Sequence, residues 1–341
     1  MSVWLLFPLA VVSSALLTGG LRRYALSRSL IDVPNSRSSH SVPTPRGGGV
    51  SIVLVFLLFV PIFGVIGDLE WPAIWSVLGT GLGVAALGFL DDHGHIAARW
   101  RLLGHFLCAV WALYWLGGLP PIEFWGGVID LQWFGVIVSA FYLVWLLNLY
   151  NFMDGIDGLA SVEAICTCVG VCIIYWLTGF AGLIGPPLLL AMAVSGFLVW
   201  NFPPARIFMG DAGSGFLGAV MGVFSLYAAW KSPVFLWVWL VLLGVFVVDA
   251  TFTLFSRLLQ GHRVYEAHRS HAYQHAARKA GNHLSVTGIV AAINILWLFP
   301  IAICIAVFGL NGLLGVVIAY LPLVVLAYKY GAGKIDPEFI E

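Results

Sequence analysis

The sequence has few charged residues: only 9% of its 341 positions are Asp, Glu, Lys or Arg. A water-soluble domain carries about a quarter charged residues, so this deficit excludes an ordinary soluble fold. Sixteen basic and sixteen acidic residues cancel, and this balance favours neither nucleic acid nor another polyanion as a partner. The five cysteines lie in apolar runs without metal-site spacing, so we expect packing residues and no disulfide framework.

Apolar residues, by contrast, are abundant: 61% of the chain is hydrophobic and the mean hydropathy is +0.98. A membrane-spanning helix needs about 20 apolar residues, and these runs are continuous rather than alternating as in a β-barrel. We therefore predict an all-α integral membrane protein, a polytopic bundle of about 11 transmembrane helices in a single domain over residues 1–341. The first is interpreted as a retained helix without a cleavage site. The predicted segments are about 3–21, 48–66, 72–90, 102–119, 132–150, 160–178, 182–200, 213–230, 234–256, 286–307 and 311–328.

The basic residues indicate the orientation of this bundle. With Arg22 and Arg23 in the cytoplasm, alternation of the segments places every basic residue except Lys231 on the same side. Cytoplasmic loops of membrane proteins carry an excess of Lys and Arg, so this orientation is favoured. The loops then predicted to be cytoplasmic are about 22–47, 91–101, 151–159, 201–212 and 257–285.

Two acidic motifs follow the third and fifth segments. Asp91 and Asp92 end a predicted helix, where the helix dipole disfavours acids, so we expect a cation to compensate them; a solvated helix end is the alternative. In the second motif four polar residues recur every three positions and form one stripe while the helix persists, although a simple Asp-Gly turn is also compatible. They are Asn148, Asn151, Asp154 and Asp157.

Two further motifs lie in the later cytoplasmic loops. Asp211, flanked by Gly210 and Gly213, precedes an apolar helix whose first N–H groups suit an anionic ligand; a helix cap is the plainer interpretation. Residues 262–275 gather histidines and arginines, which favours an anion site over a merely solvated loop. Zinc is a weaker interpretation, because no closed four-ligand spacing is present.

Together these motifs predict phosphoryl transfer at a membrane surface. Carboxylates gathered at one face bind a hard divalent cation, and Mg²⁺ fits best because one or two carboxylates, water and substrate phosphates usually hold it; Mn²⁺ is an alternative ion. Asp249 lies deep within the ninth segment, where an ionisable residue indicates either a function or a hydrogen bond between helices.

At these motifs the chain resembles the polyprenyl-phosphate N-acetylhexosamine-1-phosphate transferases. The Asp91-Asp92 pair, the run Asn-Phe-x-Asp-Gly-Ile-Asp-Gly-Leu-Ala from Asn151 and Met-Gly-Asp-x-Gly-Ser from Met209 occur in the order of that family. The opening loop 32–49 is also similar. Two positions depart from the family pattern: His95 replaces a third acid, and Tyr273 and Gln274 replace later histidines of Arg-x-His-x-His-His. The variant looks closest to the branch that initiates O-antigen synthesis.

The resemblance implies transfer of an N-acetylhexosamine 1-phosphate from a UDP-sugar to undecaprenyl phosphate, with release of UMP, at the cytoplasmic face of a bacterial inner membrane. It implies Asp211 and Asp154 as magnesium ligands, and Asp91, Asp92, Asp154 and Asp157 as catalytic residues. Phe208 matches an aromatic that stacks on uracil. The implied substrate-binding residues are Asn148, Asn151, Phe208, Arg46, Arg269, His268, His271 and His275. The sequence leaves open whether the protein forms a homodimer.

Three other functions compete with this interpretation. A secondary transporter for an anionic solute would place its ionisable groups near the bilayer midplane and would often carry inverted repeats, whereas these acids cluster at one face and no repeat is visible. A CDP-alcohol phosphotransferase would carry an Asp-Gly-x-x-Ala-Arg signature, which the sequence lacks. A non-catalytic scaffold does not need four polar clusters on one side.

Overall fold

The computed structural model describes residues 3–28, 30–34, 42–94, 96–262 and 268–334. These residues form α-helices joined by short loops, with two small antiparallel ribbons. Residues 35–41, His95 and residues 263–267, which the predicted loops include, lie outside the described residues. The helices are α1 (Leu6–Ser27), α2 (Val50–Phe59), α3 (Pro61–Val65), α4 (Trp71–Gly94), α5 (Ala98–Leu116), α6 (Gln132–Phe152), α7 (Leu159–Leu177), α8 (Gly185–Asn201), α9 (Asp211–Lys231), α10 (Val234–Leu242), α11 (Gly244–Leu259), α12 (Ala272–Ala280), α13 (His283–Ile293), α14 (Phe299–Ala306) and α15 (Gly312–Lys329).

The all-α membrane class is confirmed, and each of the eleven predicted segments coincides with a helix or a helix pair. Within the described ranges, eight helical segments are long and apolar enough to cross a membrane, and the pair α10 and α11, bent by 71°, makes a ninth. The other two predicted spans fall short for physical reasons. The pair α2 and α3 is short and breaks before Pro61, and α5 carries Arg99, Arg101 and His105 in its first two turns.

Helix α9 is the centre of the bundle, and nearly all of its residues are buried. It packs against α4 and α6, which carry the first two acidic motifs at their ends. Small residues allow this approach: a Cβ atom on Gly88 would lie only 2.5 Å from the backbone nitrogen of Ala212. The ends of α4 and α9 that carry acidic residues are therefore held side by side.

The two ends of α9 differ in chemistry. Asp211 begins the helix and Lys231 ends it, so they are separated by about 30 Å at 1.5 Å per residue. Lys231 pairs with Glu70 at a distance of 2.6 Å between Nζ and Oε1. The acidic motifs all lie at the Asp211 end, as alternation of the helices predicted.

A ribbon brings the first loop to the Asp211 end. Strand β1 (Ile31–Asp32) pairs antiparallel with β2 (Thr44–Pro45). The oxygen of Pro45 accepts a hydrogen bond from the Phe208 N–H at 2.8 Å, and Gly48 N–H donates to the Phe208 oxygen at 2.9 Å. The first loop thus fixes the segment that precedes α9. A second ribbon, β3 (Ile122–Phe124) with β4 (Gly127–Ile129), lies between α5 and α6.

Candidate active site

Four aspartates, which we term the acid cluster, meet at one end of the bundle: Asp91, Asp92, Asp154 and Asp211. Arg101 of α5 donates to Asp91 Oδ2, and the same nitrogen lies 3.7 Å from Asp211 Oδ2. Arg101 therefore bridges the ends of α4 and α9. This contact confirms the expectation that a cation compensates the acids at the end of α4.

Asp92 faces the loop that precedes α9. Its Oδ2 accepts a long hydrogen bond of 3.5 Å from Ala212 N–H, and Arg46 from the first loop donates to its main-chain oxygen. Gly210 is tightly enclosed here, because a Cβ atom at that position would lie 2.9 Å from Asp92 Oδ2. Arg46 is thus placed at the acid cluster, as a substrate-binding residue would be.

Asp154 lies in the loop between α6 and α7, close to the other acids of the cluster. Burial raises its pKa well above the usual value, and the negative charges of Asp211 and then Asp92 raise the pKa further. Asp157 contributes in the same direction. A buried carboxyl that other carboxylates surround is costly to ionise unless a cation joins them. Full ionisation of the four acids would therefore leave negative charge that Arg101 and Arg46 do not balance.

The asparagines of the same stripe line the wall between α6 and α9. Asn151 Nδ2 donates to Ser214 Oγ at 3.0 Å, and its amide also hydrogen-bonds Asp211. Asn148 Nδ2 donates to the Val144 oxygen at 2.7 Å and lies 3.5 Å from His105 Nδ1. Asn151 is thus at the acid cluster, whereas Asn148 lies about one turn farther into the bundle.

Asp157 links its own loop to the segment before α9 and to helix α13. Its Oδ2 accepts from Ala205 N–H at 3.0 Å, and its Oδ1 lies 3.2 Å from Nδ1 of His283, the first residue of α13. Its main-chain oxygen accepts from Thr287 Oγ1 at 2.9 Å. Asp157 therefore organises the wall of a cavity, next to the acid cluster rather than inside it.

That cavity has a volume of about 530 Å³ and opens beside Asp157. Phe208, Thr44, Arg278 and His283 are among the residues that line it. An aromatic face, a carboxylate and basic groups around one cleft are suited to a nucleotide, whose base stacks and whose phosphates carry charge. Phe208 is thus placed as a base-stacking residue would be.

The histidine loop, by which we mean residues 268–275, contacts the end of α6. His271 stacks between His268, at 5.0 Å between ring centroids, and Tyr273, at 5.6 Å, and its ring centroid lies 6.4 Å from that of Phe152. Burial and, to a smaller extent, the neighbouring positive charges of His271 and Arg257 together lower the pKa of His268 to about 3, so His268 is neutral at pH 7.

The remaining residues of the histidine loop are arranged around α12. His275 Nδ1 lies 2.9 Å from Arg278, and that arginine also donates to the main-chain oxygen of Arg269. Tyr273 connects this loop to the acidic loop, because its hydroxyl donates to the Phe152 oxygen at 3.0 Å. His271 and Tyr273 are therefore the loop residues that lie against the acidic loop.

Two residues of the site belong to none of the sequence motifs. Arg101 follows Asp91 by ten residues, and the only signal for it was the expected cation. His283 begins an otherwise apolar helix, and no spacing links it to Asp157, 126 positions earlier. Both are found only when the helices are assembled.

The donor atoms of the acid cluster are compatible with Mg²⁺. Among the described residues, no three His, Cys, Asp or Glu side chains form a ready-made metal cage. Magnesium does not require one, since it usually takes one or two carboxylates together with water and substrate phosphates. The uncompensated negative charge around Asp154 is the feature that a divalent cation would neutralise, so these residues fit the ion.

Comparison with known proteins agrees with this geometry. Residues 74–229 match the model of glycosyl transferase family 4. The chain is 27% identical over 273 residues to a probable undecaprenyl-phosphate N-acetylglucosaminyl 1-phosphate transferase of Bacillus subtilis (strain 168), covering 78% of this chain and 75% of that protein. It is 30% identical over 244 residues to a decaprenyl-phosphate N-acetylglucosaminephosphotransferase of Mycolicibacterium smegmatis, covering 64% of this chain and 58% of that protein.

The fold and the site define a multi-pass membrane protein with an acidic and basic site at one end of its helices. These matches support the resemblance of the chain to the polyprenyl-phosphate N-acetylhexosamine-1-phosphate transferases.

Proposed function

We propose that this protein transfers an N-acetylhexosamine 1-phosphate from a UDP-sugar to undecaprenyl phosphate at the cytoplasmic face of a bacterial inner membrane, the first step of O-antigen or another envelope glycan. The observation that carries the proposal is the convergence of the acid cluster and His271 on the two sides of the loop between Phe152 and Asp157. The names of the two relatives support the same reaction class.

The reaction exchanges one phosphoanhydride bond for another. An oxygen of the lipid phosphate attacks the β-phosphorus of the UDP-sugar, and the bond from that phosphorus to the bridging oxygen breaks with release of UMP. A phosphate monoester loses its second proton near pH ~6, so the lipid phosphate is mostly the nucleophilic dianion at pH 7. Asp91 and Asp92 therefore need not act as strong bases, and aligning two anions is the harder task.

Different residues bind the different parts of the two anionic substrates. Phe208 and Asp157 hold the nucleotide in the cavity, and Arg269 and His271 bind the diphosphate. Asp211 and Asp154 would hold Mg²⁺, which supplies positive charge to the phosphate oxygens when bound. Arg101 holds the Asp91 carboxylate in place, and Arg46 holds the main chain at Asp92.

A direct assay tests the proposal. Purified protein in detergent or vesicles is incubated with undecaprenyl phosphate, Mg²⁺ and radiolabelled UDP-sugars that differ at the sugar: N-acetylglucosamine, N-acetylfucosamine and N-acetylquinovosamine. We expect UMP release that requires both the lipid phosphate and the metal, with one sugar preferred. Uptake of a solute into vesicles without UMP release would instead support the transporter.

A further inference from the structure

Asp249, in the second turn of α11, is a buried carboxylate with four hydrogen-bond donors. Its Oδ1 accepts from Thr253 Oγ1 at 3.0 Å and from Ala272 N–H at 2.9 Å, and it lies 3.3 Å from His271 Nδ1. Its Oδ2 accepts from Tyr273 N–H at 2.9 Å. Three of these donors belong to the histidine loop, so Asp249 connects α11 to that loop rather than to another membrane helix.

Two of the bonds cap helix α12. The first N–H groups of a helix have no partner within it, and an acidic side chain at that end satisfies them and complements the helix dipole. Here the acceptor comes from α11: Asp249 takes the N–H groups of Ala272 and Tyr273, the first two residues of α12. This cap fixes the point at which the histidine loop becomes helical.

The remaining bond orients the ring of His271. A carboxylate can only accept, so the Nδ1 atom of His271 must carry the hydrogen that it shares with Asp249. Nε2 is then the ring nitrogen left for a ligand.

The same arrangement reaches the acidic loop through Tyr273. The hydroxyl of Tyr273 donates to the main-chain oxygen of Phe152, two residues before Asp154. A Cβ atom on Gly155 would lie 2.1 Å from that hydroxyl oxygen, so only glycine allows this approach. Fixing α12 therefore also fixes the distance between the histidine loop and the acid cluster.

We infer that Asp249 is a positioning residue for phosphate binding: its carboxylate orients His271 so that Nε2 serves the substrate diphosphate, while it anchors α12. The inference rests on the proposed function only in the identity of the ligand. Asp249 itself touches no reacting atom. Behind a metal-ligating histidine, an acidic partner fixes the ring orientation and the protonated nitrogen, and replacing it typically costs about 10- to 100-fold in metal affinity or activity; we expect an effect of the same order for a phosphate-binding histidine.

A double-mutant cycle separates positioning from a general effect on folding. We expect Asp249→Asn to lower kcat/KM for UDP-sugar by roughly 10- to 100-fold and His271→Gln to lower it by at least as much. Because Asp249 acts through His271, the double variant should be about as slow as His271→Gln alone. Independent, multiplicative losses would overturn the inference.

Two matched controls test the other bonds of Asp249. Ala272→Pro removes one capping N–H but leaves the carboxylate and His271 intact, and proline is favoured at the first position of a helix. His271 has φ −70° and ψ 150°, which a residue before proline readily adopts. Thr253→Val removes the bond from α11. We expect both variants to retain activity within about twofold, and a large loss in either would overturn the inference.

A spectroscopic measurement tests which nitrogen of His271 is protonated and does not depend on enzyme activity. In protein with ¹⁵N-labelled histidines, the signals of His271 are assigned by their loss in His271→Gln. We expect a protonated Nδ1 at pH 7.5 in the wild type, even if no UDP-sugar is turned over and the proposed function fails. A neutral ring protonated only on Nε2 would overturn the inference, even if Asp249→Asn does not fold.

Discussion

Asp154 in the acid cluster and Asp249 beneath the histidine loop lie at the same end of the bundle, but their carboxyl groups have different surroundings. Asp249 has four donors within hydrogen-bond range, three of them from the loop that it anchors. Asp154 lies among other carboxylates, which raise its pKa. This difference fits the proposed roles, in which Asp249 supports structure and Asp154 serves a cation and an anionic substrate.

The largest expected effect is at the start of α9. Asp211→Asn keeps the size of the side chain but removes the charge that would hold the metal, so turnover should fall by roughly 10³-fold, equivalent to several kcal/mol. The measurement is UMP release by protein with unchanged yield and melting temperature. Asp68→Asn, at an exposed acid beside α4, is the matched control and should be silent. Retained turnover in Asp211→Asn would remove Asp211 from the site.

The next effect tests the cavity beside Asp157. Stacking of a base on an aromatic side chain is worth about 1–3 kcal/mol, so Phe208→Ala should raise the KM for UDP-sugar roughly tenfold or more. The KM for undecaprenyl phosphate should change little. Phe202→Ala serves as the control, because Phe202 is 50% exposed in the same loop and does not line the cavity. Equal effects of the two substitutions would contradict the assignment.

Stability should respond with opposite signs in the two regions. The raised pKa of Asp154 means that its contribution to stability is present at low pH and is lost as pH rises through that raised pKa. Without divalent cations, Asp154→Asn should therefore raise the melting temperature at pH 8 by a few degrees and flatten its decline with pH. Asp249→Asn should lower the melting temperature. A decrease in both variants would show that the acid cluster is not strained by its charges.

The smallest effect is expected at the opposite end of the bundle. Lys231 and Glu70 form an exposed ion pair, and such pairs contribute about 0–1 kcal/mol. Lys231→Ala should therefore leave UMP release within about twofold of the wild type and shift the melting temperature by no more than a degree or two. A tenfold loss of activity would mean that the site extends to both ends.

The helices were predictable because long apolar runs leave few alternatives in a membrane. The placement of Asp91, Asp154 and Asp211 at one end of the bundle was also predictable from the sequence. The alternation of the spans and the distribution of the basic residues both assign these acids to the cytoplasmic side. These are properties of segments, which the sequence carries locally. The 71° bend between α10 and α11 was not predicted, because neither Gly244 nor its neighbours carry a distinctive breaking signal.

Partnerships between distant side chains could not be predicted. Asp249 was identifiable as an unusual residue, but its donors at positions 271–273 depend on how the chain returns to α11. The contact of His283 with Asp157 and the bridge of Arg101 between Asp91 and Asp211 are likewise products of helix packing. Such contacts have no period or motif that a single sequence could show.

The sidedness of the site can be measured directly. In a variant without native cysteines, single cysteines are placed at exposed positions of four loops, with Lys231→Cys as the reference for the other side. We expect an impermeant thiol reagent to label the four positions only from the cytoplasmic side, and Lys231→Cys only from the outside. Labelling of any of the four from the outside would contradict the single site proposed for this protein. The four substitutions are Ser27→Cys, Arg99→Cys, Arg206→Cys and Lys279→Cys.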